Sequence, residues 1–199
     1  AHRWSDPPSG LRTPLGLAAS RVGPPEVLEV DLTRDGPHGL VAGTTGAGKS
    51  ELLQTLVCGL ALTHPPSDLA IALVDYKGGA SFGACAGLPH VVGIVTDLER
   101  GLAARALTGL QAEMRRREAL FAASGATTLD EHRALARPGD ELVPRLLVVV
   151  DEFRSMTQDL PDFVPSLLRL AAQGRSLGMH LVLATQRPGG AVNADMRAN

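Results

Sequence analysis

The residues with the most chemical content form one run, Gly43-Thr44-Thr45-Gly46-Ala47-Gly48-Lys49-Ser50, followed directly by Glu51. The run fits the pattern G-x-x-x-x-G-K-[S/T]. Its glycines let the backbone turn tightly, so that successive N–H groups point inward at phosphate oxygens. A helix starting at the lysine adds the positive end of its dipole. On this reading Gly43 to Glu51 cradle a nucleotide, Lys49 reaches its β- and γ-phosphates, and the Ser50 hydroxyl binds Mg2+. The competing reading is a Gly-rich strand-to-helix turn that holds nothing. The apolar run before the turn and the amphipathic run after it weigh against that.

A second run, Arg145-Leu146-Leu147-Val148-Val149-Val150-Asp151-Glu152, is an apolar strand ending on two acids. In a metal-dependent phosphate site Asp151 would hold the Mg2+ shell, and Glu152 would orient or deprotonate the attacking water. Acids at strand ends are common, and alone this pair says little. It gains meaning from the phosphate loop that precedes it by about a hundred residues. A third run, Ala184-Thr185-Gln186-Arg187-Pro188, follows another apolar strand. Gln186 is an uncharged donor and acceptor that could contact the γ-phosphate or the attacking water; without the other two runs it reads as a polar strand end. Asp75-Tyr76-Lys77-Gly78-Gly79 is also a strand end, on the edge where open α/β sheets bind ligands; a Lys77 facing the nucleotide, a substrate channel or a neighbouring subunit and a solvated lysine in a Gly-rich turn read there equally well. Lys49 and Lys77 are the two lysines among 19 cationic residues, so the remaining seventeen are arginines.

These residues need elements to carry them. The 199 residues suffice for one domain with a single core. With 44% apolar and 20% charged residues the composition is that of an ordinary globular chain. A formal charge of −2 argues against nucleic-acid binding driven by global basicity. No apolar run approaches the roughly 20 residues of a membrane span, and no signal peptide is visible at the start. Cys58 and Cys85 are too few for a disulfide framework and read as reduced structural residues, neither at metal-ligand spacing.

Residues 1–25, rich in Pro and Gly, read as a lead-in that packs loosely or belongs to something upstream, and 26–199 as the folded module. Strands are expected at 26–32, 38–42, 69–75, 91–96, 146–150 and 181–185. Helices are expected at 49–62, at about 97–123 with Asp97 as cap, and at 162–177, with a short one possible in the polar connection 124–144. Alternating strands and helices imply an α/β fold with a mostly parallel sheet. Strands apolar on both faces imply helices on both sides of it. On the long helix the run Arg115-Arg116-Arg117 could touch nucleic acid or a neighbour, but reads better as a solvated face. His90 and His180 read as core or loop residues.

The segments GPHGLVAGTTGAGKSELLQTLV, LVDYKGGASF, LPHVVGIVTDLE, RLLVVVDEF and GRSLGMHLVLATQRPGGAVNADMRAN resemble the FtsK/SpoIIIE ATPase family, and within it the EccC/EssC ATPases of type VII secretion. The resemblance covers residues 36–199 and implies a RecA-like P-loop NTPase. It implies that the 181–185 strand lies between the phosphate-loop strand and the acidic strand, and that the sheet continues after residue 199, so that the module is truncated at its C-terminal end. It implies Mg2+ and ATP as cofactors, Lys49 and Ser50 on phosphate and metal, Asp151 on metal, Glu152 on water and Gln186 as sensor. Arg175, in the GRSLG stretch, is an interface or phosphate-contacting candidate. The implied setting is a homo-oligomeric ring, such as a hexamer, on the cytoplasmic side of a bacterial membrane. Its implied partners are membrane components of a secretion machine and secreted proteins. Two other functions share these motifs: a DNA translocase of the FtsK type, and a nucleotide-binding regulatory module with little activity of its own.

Overall fold

The computed structural model describes residues 4–5, 7–19, 23–76, 81–95, 100–159, 161 and 163–186. The expectations for Lys77, Asp97, Arg187 and Pro188 lie outside the described residues. Five parallel strands form the central sheet: β3 (His38–Ala42), β4 (Leu69–Asp75), β5 (Val91–Val95), β6 (Arg145–Asp151) and β7 (Met179–Thr185). Their spatial order is β3-β7-β6-β4-β5, so the 179–185 strand does lie between the phosphate-loop strand and the acidic strand.

Strand alternation divides the core into two faces. On one, Leu146, Val148 and Val150 of β6 and Met179, Leu181 and Leu183 of β7 pack with Met114, Phe121, Leu167 and Leu170. These belong to α2 (Arg100–Ser124) and α5 (Phe163–Leu177). On the other, Leu147, Val149, Val182 and Ala184 meet Leu53, Leu56, Val57 and Leu60 of α1 (Lys49–Thr63). Helices thus cover both faces, as strands apolar on both sides require. Among the described residues there are two short helices besides. α3 (Leu129–Leu135) is capped by the Thr128 side chain, which accepts from Glu131 N; α4 (Phe153–Asp159) buries Phe153 and Met156 directly after the acidic pair.

Two local readings of the sequence are corrected. Within residues 1–25, Arg12–Ala18 forms β1, which pairs antiparallel with β2 (Glu26–Asp31). Leu11 and Thr13 are buried, Thr13 packs against Gly59 of α1 where no larger residue fits, and the Gly10 carbonyl lies 3.0 Å from His64 Nε2. The segment therefore packs on the phosphate-loop helix rather than loosely. Secondly, the arginine run is not uniformly solvated. Arg115 and Arg116 are exposed, but Arg117 is 1% exposed and bonded on every side. The two cysteines, expected to be reduced, are free thiols, and the fold brings them together. Cys58 Sγ on α1 lies 3.8 Å from Cys85 Sγ in the 3-10 turn Gly83–Cys85, both thiols are free, and burial pushes Cys85 up to about 11.

His90 and His180 are core residues, as expected. His180 Nδ1 donates to the Pro37 carbonyl at 3.0 Å, and its buried Nε2 has no hydrogen-bond partner among the described residues. Burial lowers this imidazole from 6.5 to about 4 against the pull of the Pro37 bond. Burial also lowers His38 and His64. The fold accommodates the neutral rings, so the unfolded chain takes up protons first as pH falls. Stability from His180 is complete above 6.5 and is lost progressively toward about 4. At about pH 5 the loss from this one group is on the order of 2 kcal/mol. The urea midpoint should therefore fall between about pH 7.5 and about pH 5, and fall less in a His180→Gln chain; equal midpoints at the two pH values would contradict this.

Candidate active site

Parallel pairing brings the carboxyl ends of four strands to one edge. Ala42 is opposite Thr185, Val150 opposite Leu183, and Asp75 opposite Asp151. Gly43 N extends the ladder by donating to Thr185 O at 3.2 Å. Ligands of open α/β sheets bind at this edge. Here it holds a cleft of about 390 Å3 lined by Thr45, Gly46, Gly48, Lys49, Ser50, Glu51, Asp75, Ser81, Asp151, Glu152 and Gln186.

The loop leaves β3 and enters α1 through two left-handed glycines, Gly46 (φ +77°) and Gly48 (φ +85°). Any side chain there would be strained. Gly48 is the N-cap and carries no capping side chain, so the first N–H groups of α1 are left for another acceptor. A Cβ at Gly43 would sit 3.2 Å from Ala47 Cβ and 3.3 Å from Lys49 Cγ, which keeps the loop wrapped against its own lysine. Thr44, Thr45, Gly46, Ala47, Gly48 and Glu51 are exposed, whereas Lys49 and Ser50 are half-buried. An open cradle of backbone donors over a helix N-terminus suits a phosphate chain.

The acidic side of the cleft is buried. Asp75, Asp151 and Glu152 are all under 10% exposed. Asp151 Oδ2 accepts from Ser50 Oγ at 3.3 Å and from Ser81 Oγ at 2.8 Å, and Asp151 Oδ1 accepts from Glu152 N at 2.8 Å. Glu152 has a φ of 55°, unusual for a residue with a side chain. A residue held there costs about 1–3 kcal/mol and persists when its surroundings impose it. Its carbonyl accepts from Ser155 N and Met156 N as α4 begins, and its carboxylate accepts from Gln186 Nε2. Gln186 Oε1 in turn accepts from Thr45 Oγ1 at 2.9 Å. One glutamine side chain therefore joins the phosphate loop, the end of β7 and Glu152.

Of the residues singled out from sequence, Gly43 to Glu51, Asp151, Glu152 and Gln186 come together at this edge. Arg175 does not. It is exposed near the end of α5 and lines a groove with Thr33, Asp130, Arg145 and His180 at the other end of β7, a seven-residue strand about 23 Å long. Asp75 and Ser81 are the additions. Asp75 ends its strand level with Asp151, which a strand-end aspartate allows one to suspect. Nothing in the sequence spacing marks Ser81.

The donor set is all oxygen: hydroxyls of Ser50 and Ser81 and the carboxylate of Asp151. That chemistry fits a hard cation such as Mg2+, which typically takes one or two protein carboxylates and completes its shell with phosphate and water. Among the described residues no three His, Cys, Asp or Glu side chains cluster as a metal site. The fit is thus to a nucleotide-borne Mg2+ rather than to an all-protein cage.

Known proteins share this sequence pattern and this fold. The FtsK/SpoIIIE family model matches residues 12–190. The chain is 39% identical over 193 residues to the type VII secretion system protein EssC of Staphylococcus aureus (strain NCTC 8325 / PS 47). It is 38% identical over 195 residues to the ESX secretion system protein EccC of Geobacillus thermodenitrificans (strain NG80-2). Each match covers 95% of this chain and 13% of the relative, so the chain spans a small part of the length of these proteins. The solved cytoplasmic domain of the Thermomonospora curvata type VII secretion ATPase EccC superposes with a TM-score of 0.90 at 39% identity, covering 100% of this chain and 24% of that one. ATPases 2 and 3 of the same EccC, solved with a signal sequence peptide, superpose with a TM-score of 0.87 at 28% identity, covering 100% and 36%. A family match over most of the chain, reinforced by relatives of this identity, supports one assignment: the chain belongs to the FtsK/SpoIIIE family.

Proposed function

We propose that this chain is an ATP-binding and ATP-hydrolysing module of a type VII, ESX-like protein secretion ATPase, and that it uses Mg-ATP to drive or gate protein export. The observation that carries the reading is the convergence of Lys49, Ser50, Asp151, Glu152 and Gln186 on one cleft at the carboxyl edge of the sheet. The similarity to EccC and EssC supports the secretion setting over DNA transport. Near-neutral charge supports it too.

In this reading the loop N–H groups and Lys49 hold the phosphates, with the ammonium set against the charge that builds on the β- and γ-oxygens. Ser50 and Asp151 hold Mg2+, which when bound neutralises charge on the transferring phosphoryl group. Glu152 accepts a proton from the attacking water. Gln186 orients the Glu152 carboxylate and ties its position to Thr45, so that a change at the phosphate loop is felt at the base. Turnover by the lone chain is slow, because a neighbour in a homo-oligomeric ring supplies a transition-state arginine. Arg175 lies away from this chain's own cleft, so any phosphate it reaches belongs to a neighbouring chain. Secreted proteins are the partner class, since a signal sequence peptide occupies the T. curvata relative. No helix among the described residues is long and apolar enough to cross a membrane. The same reading puts the chain on the cytoplasmic side of a bacterial membrane, and its likeness to the cytoplasmic domain of EccC supports that setting.

The test combines nucleotide titration with phosphate release, each with Mg2+ and with excess chelator, and release with and without duplex DNA. Mg2+-dependent binding and slow release indifferent to DNA are expected. DNA-stimulated release with a steep salt dependence would replace the secretion reading by the translocase one.

A further inference from the structure

Ser81 is held at the metal end of the cleft from three directions. Its N–H donates to Asp75 Oδ2 of β4 at 2.9 Å, and its carbonyl accepts from Gln54 Nε2 of α1 at 2.8 Å. Its hydroxyl donates to Asp151 Oδ2 of β6 at 2.8 Å. Gln54 lies one turn beyond Ser50 on the same helix, so the element that sets Ser50 also sets Ser81. The two hydroxyls are equivalent in chemistry. Ser50 Oγ and Ser81 Oγ both donate to Asp151 Oδ2, at 3.3 and 2.8 Å, and lie 3.4 Å from each other. Each spends its one proton on the carboxylate and keeps lone pairs to offer to a cation.

Three oxygens separated by 2.8, 3.3 and 3.4 Å make a small triangle. Adjacent ligands of an octahedral Mg2+ with bonds of about 2.0–2.1 Å stand about 2.9 Å apart. The triangle is close to one face of such a shell. We propose that Ser81 Oγ is a direct ligand of the divalent cation, a second protein hydroxyl beside that of Ser50, oriented by Asp75, Gln54 and Asp151. The proposal rests on the Mg-ATP reading of this cleft. It assigns Asp75 and Gln54 a purpose as well: they fix the backbone of the segment that delivers the ligand.

The experiment measures binding, not turnover. The β,γ-imido analogue of ATP is titrated calorimetrically into the chain without metal, with Mn2+ and with Cd2+, and the gain in affinity due to each metal is read. The wild-type chain should bind more tightly with Mn2+; if the metal adds nothing, the Mg-ATP reading itself fails, and this inference with it. Ser81→Ala should reduce the Mn2+-dependent gain about tenfold and leave metal-free binding unchanged. Ser81→Thr should retain the gain, which separates loss of a ligand from loss of fold. Ser81→Cys should lose the Mn2+ gain and acquire a Cd2+ gain of similar size, because a thiolate selects the softer ion. The Cys58–Cys85 pair is common to all chains and cancels in the comparison. An unchanged Mn2+ gain in Ser81→Ala, in a chain that does respond to Mn2+, overturns the proposal alone. A reduced gain without the Cd2+ response in Ser81→Cys also overturns it, and reduces Ser81 to a partner of Asp151.

Discussion

Glu152→Gln is expected to abolish phosphate release from ATP while leaving Mg-ATP binding intact. The reason is local. Glu152 is buried, its backbone is held in a left-handed conformation, and its carboxylate faces the cleft under the hand of Gln186. An amide of the same shape keeps the fold of the strand end, but it cannot take a proton from water. Loss of a positioned general base costs about 100- to 10,000-fold in rate. Because the unmutated chain is slow alone, the comparison is best made under single-turnover conditions with excess enzyme. Binding by calorimetry supplies the control, since Lys49, Ser50 and Asp151 are untouched. Normal release by the variant would remove Glu152 from the reaction and leave the acidic pair with a structural role only.

The second large effect concerns stability. Arg117→Ala should lower the unfolding free energy by about 3–5 kcal/mol, because it breaks a buried ion pair and strips partners from several acceptors at once. Arg117 Nε donates to Glu113 Oε1 at 2.7 Å. One terminal nitrogen donates to Leu177 O and the other to Pro144 O, both at 2.8 Å. Leu177 is the last residue of α5, so the guanidinium sits at the negative end of that helix. Pro144 directly precedes β6. One side chain on α2 therefore pins the end of α5 and the start of the strand that carries Asp151 and Glu152. Burial alone would raise Glu113, but bonds from Arg116 and Arg117 hold its carboxyl below the ordinary value of 4.5. That contribution is present above 4.5 and is lost as pH falls through the lower folded value. Urea denaturation at neutral pH reads the effect; a change under about 1 kcal/mol would show that the clamp is dispensable.

Arg117 also shows where sequence reasoning stops. Three consecutive arginines on a helix point in three directions about 100° apart. Composition makes the run look solvated, and two of the three are. Nothing local says that the third meets the ends of two distant elements, at residues 144 and 177. The site was more legible, for the opposite reason. Gly43 to Ser50 is contiguous, and its glycines are needed where φ is positive, so type and spacing state the local geometry directly. Asp151 and Glu152 were legible because an apolar run makes the strand end visible. Gln186 was readable only beside the other two runs, and the resemblance added what spacing could not, the place of its strand between theirs. β1 was obscured by Pro14 and Gly16, which interrupt the alternation Leu11, Thr13, Leu15, Leu17; the pairing has its bulge between those two residues. Ser81 was invisible because its partners Gln54, Asp75 and Asp151 are brought to it only by the sheet and α1.

The central claim is that this cleft is a Mg-nucleotide site. Calorimetric titration of the chain with ATP, with Mg2+ and with excess chelator, tests it most directly. A single site that saturates below millimolar ATP, weakens under chelation and is lost in Lys49→Ala is the expected result. No binding by the unmutated chain at millimolar ATP with Mg2+ present would contradict the account.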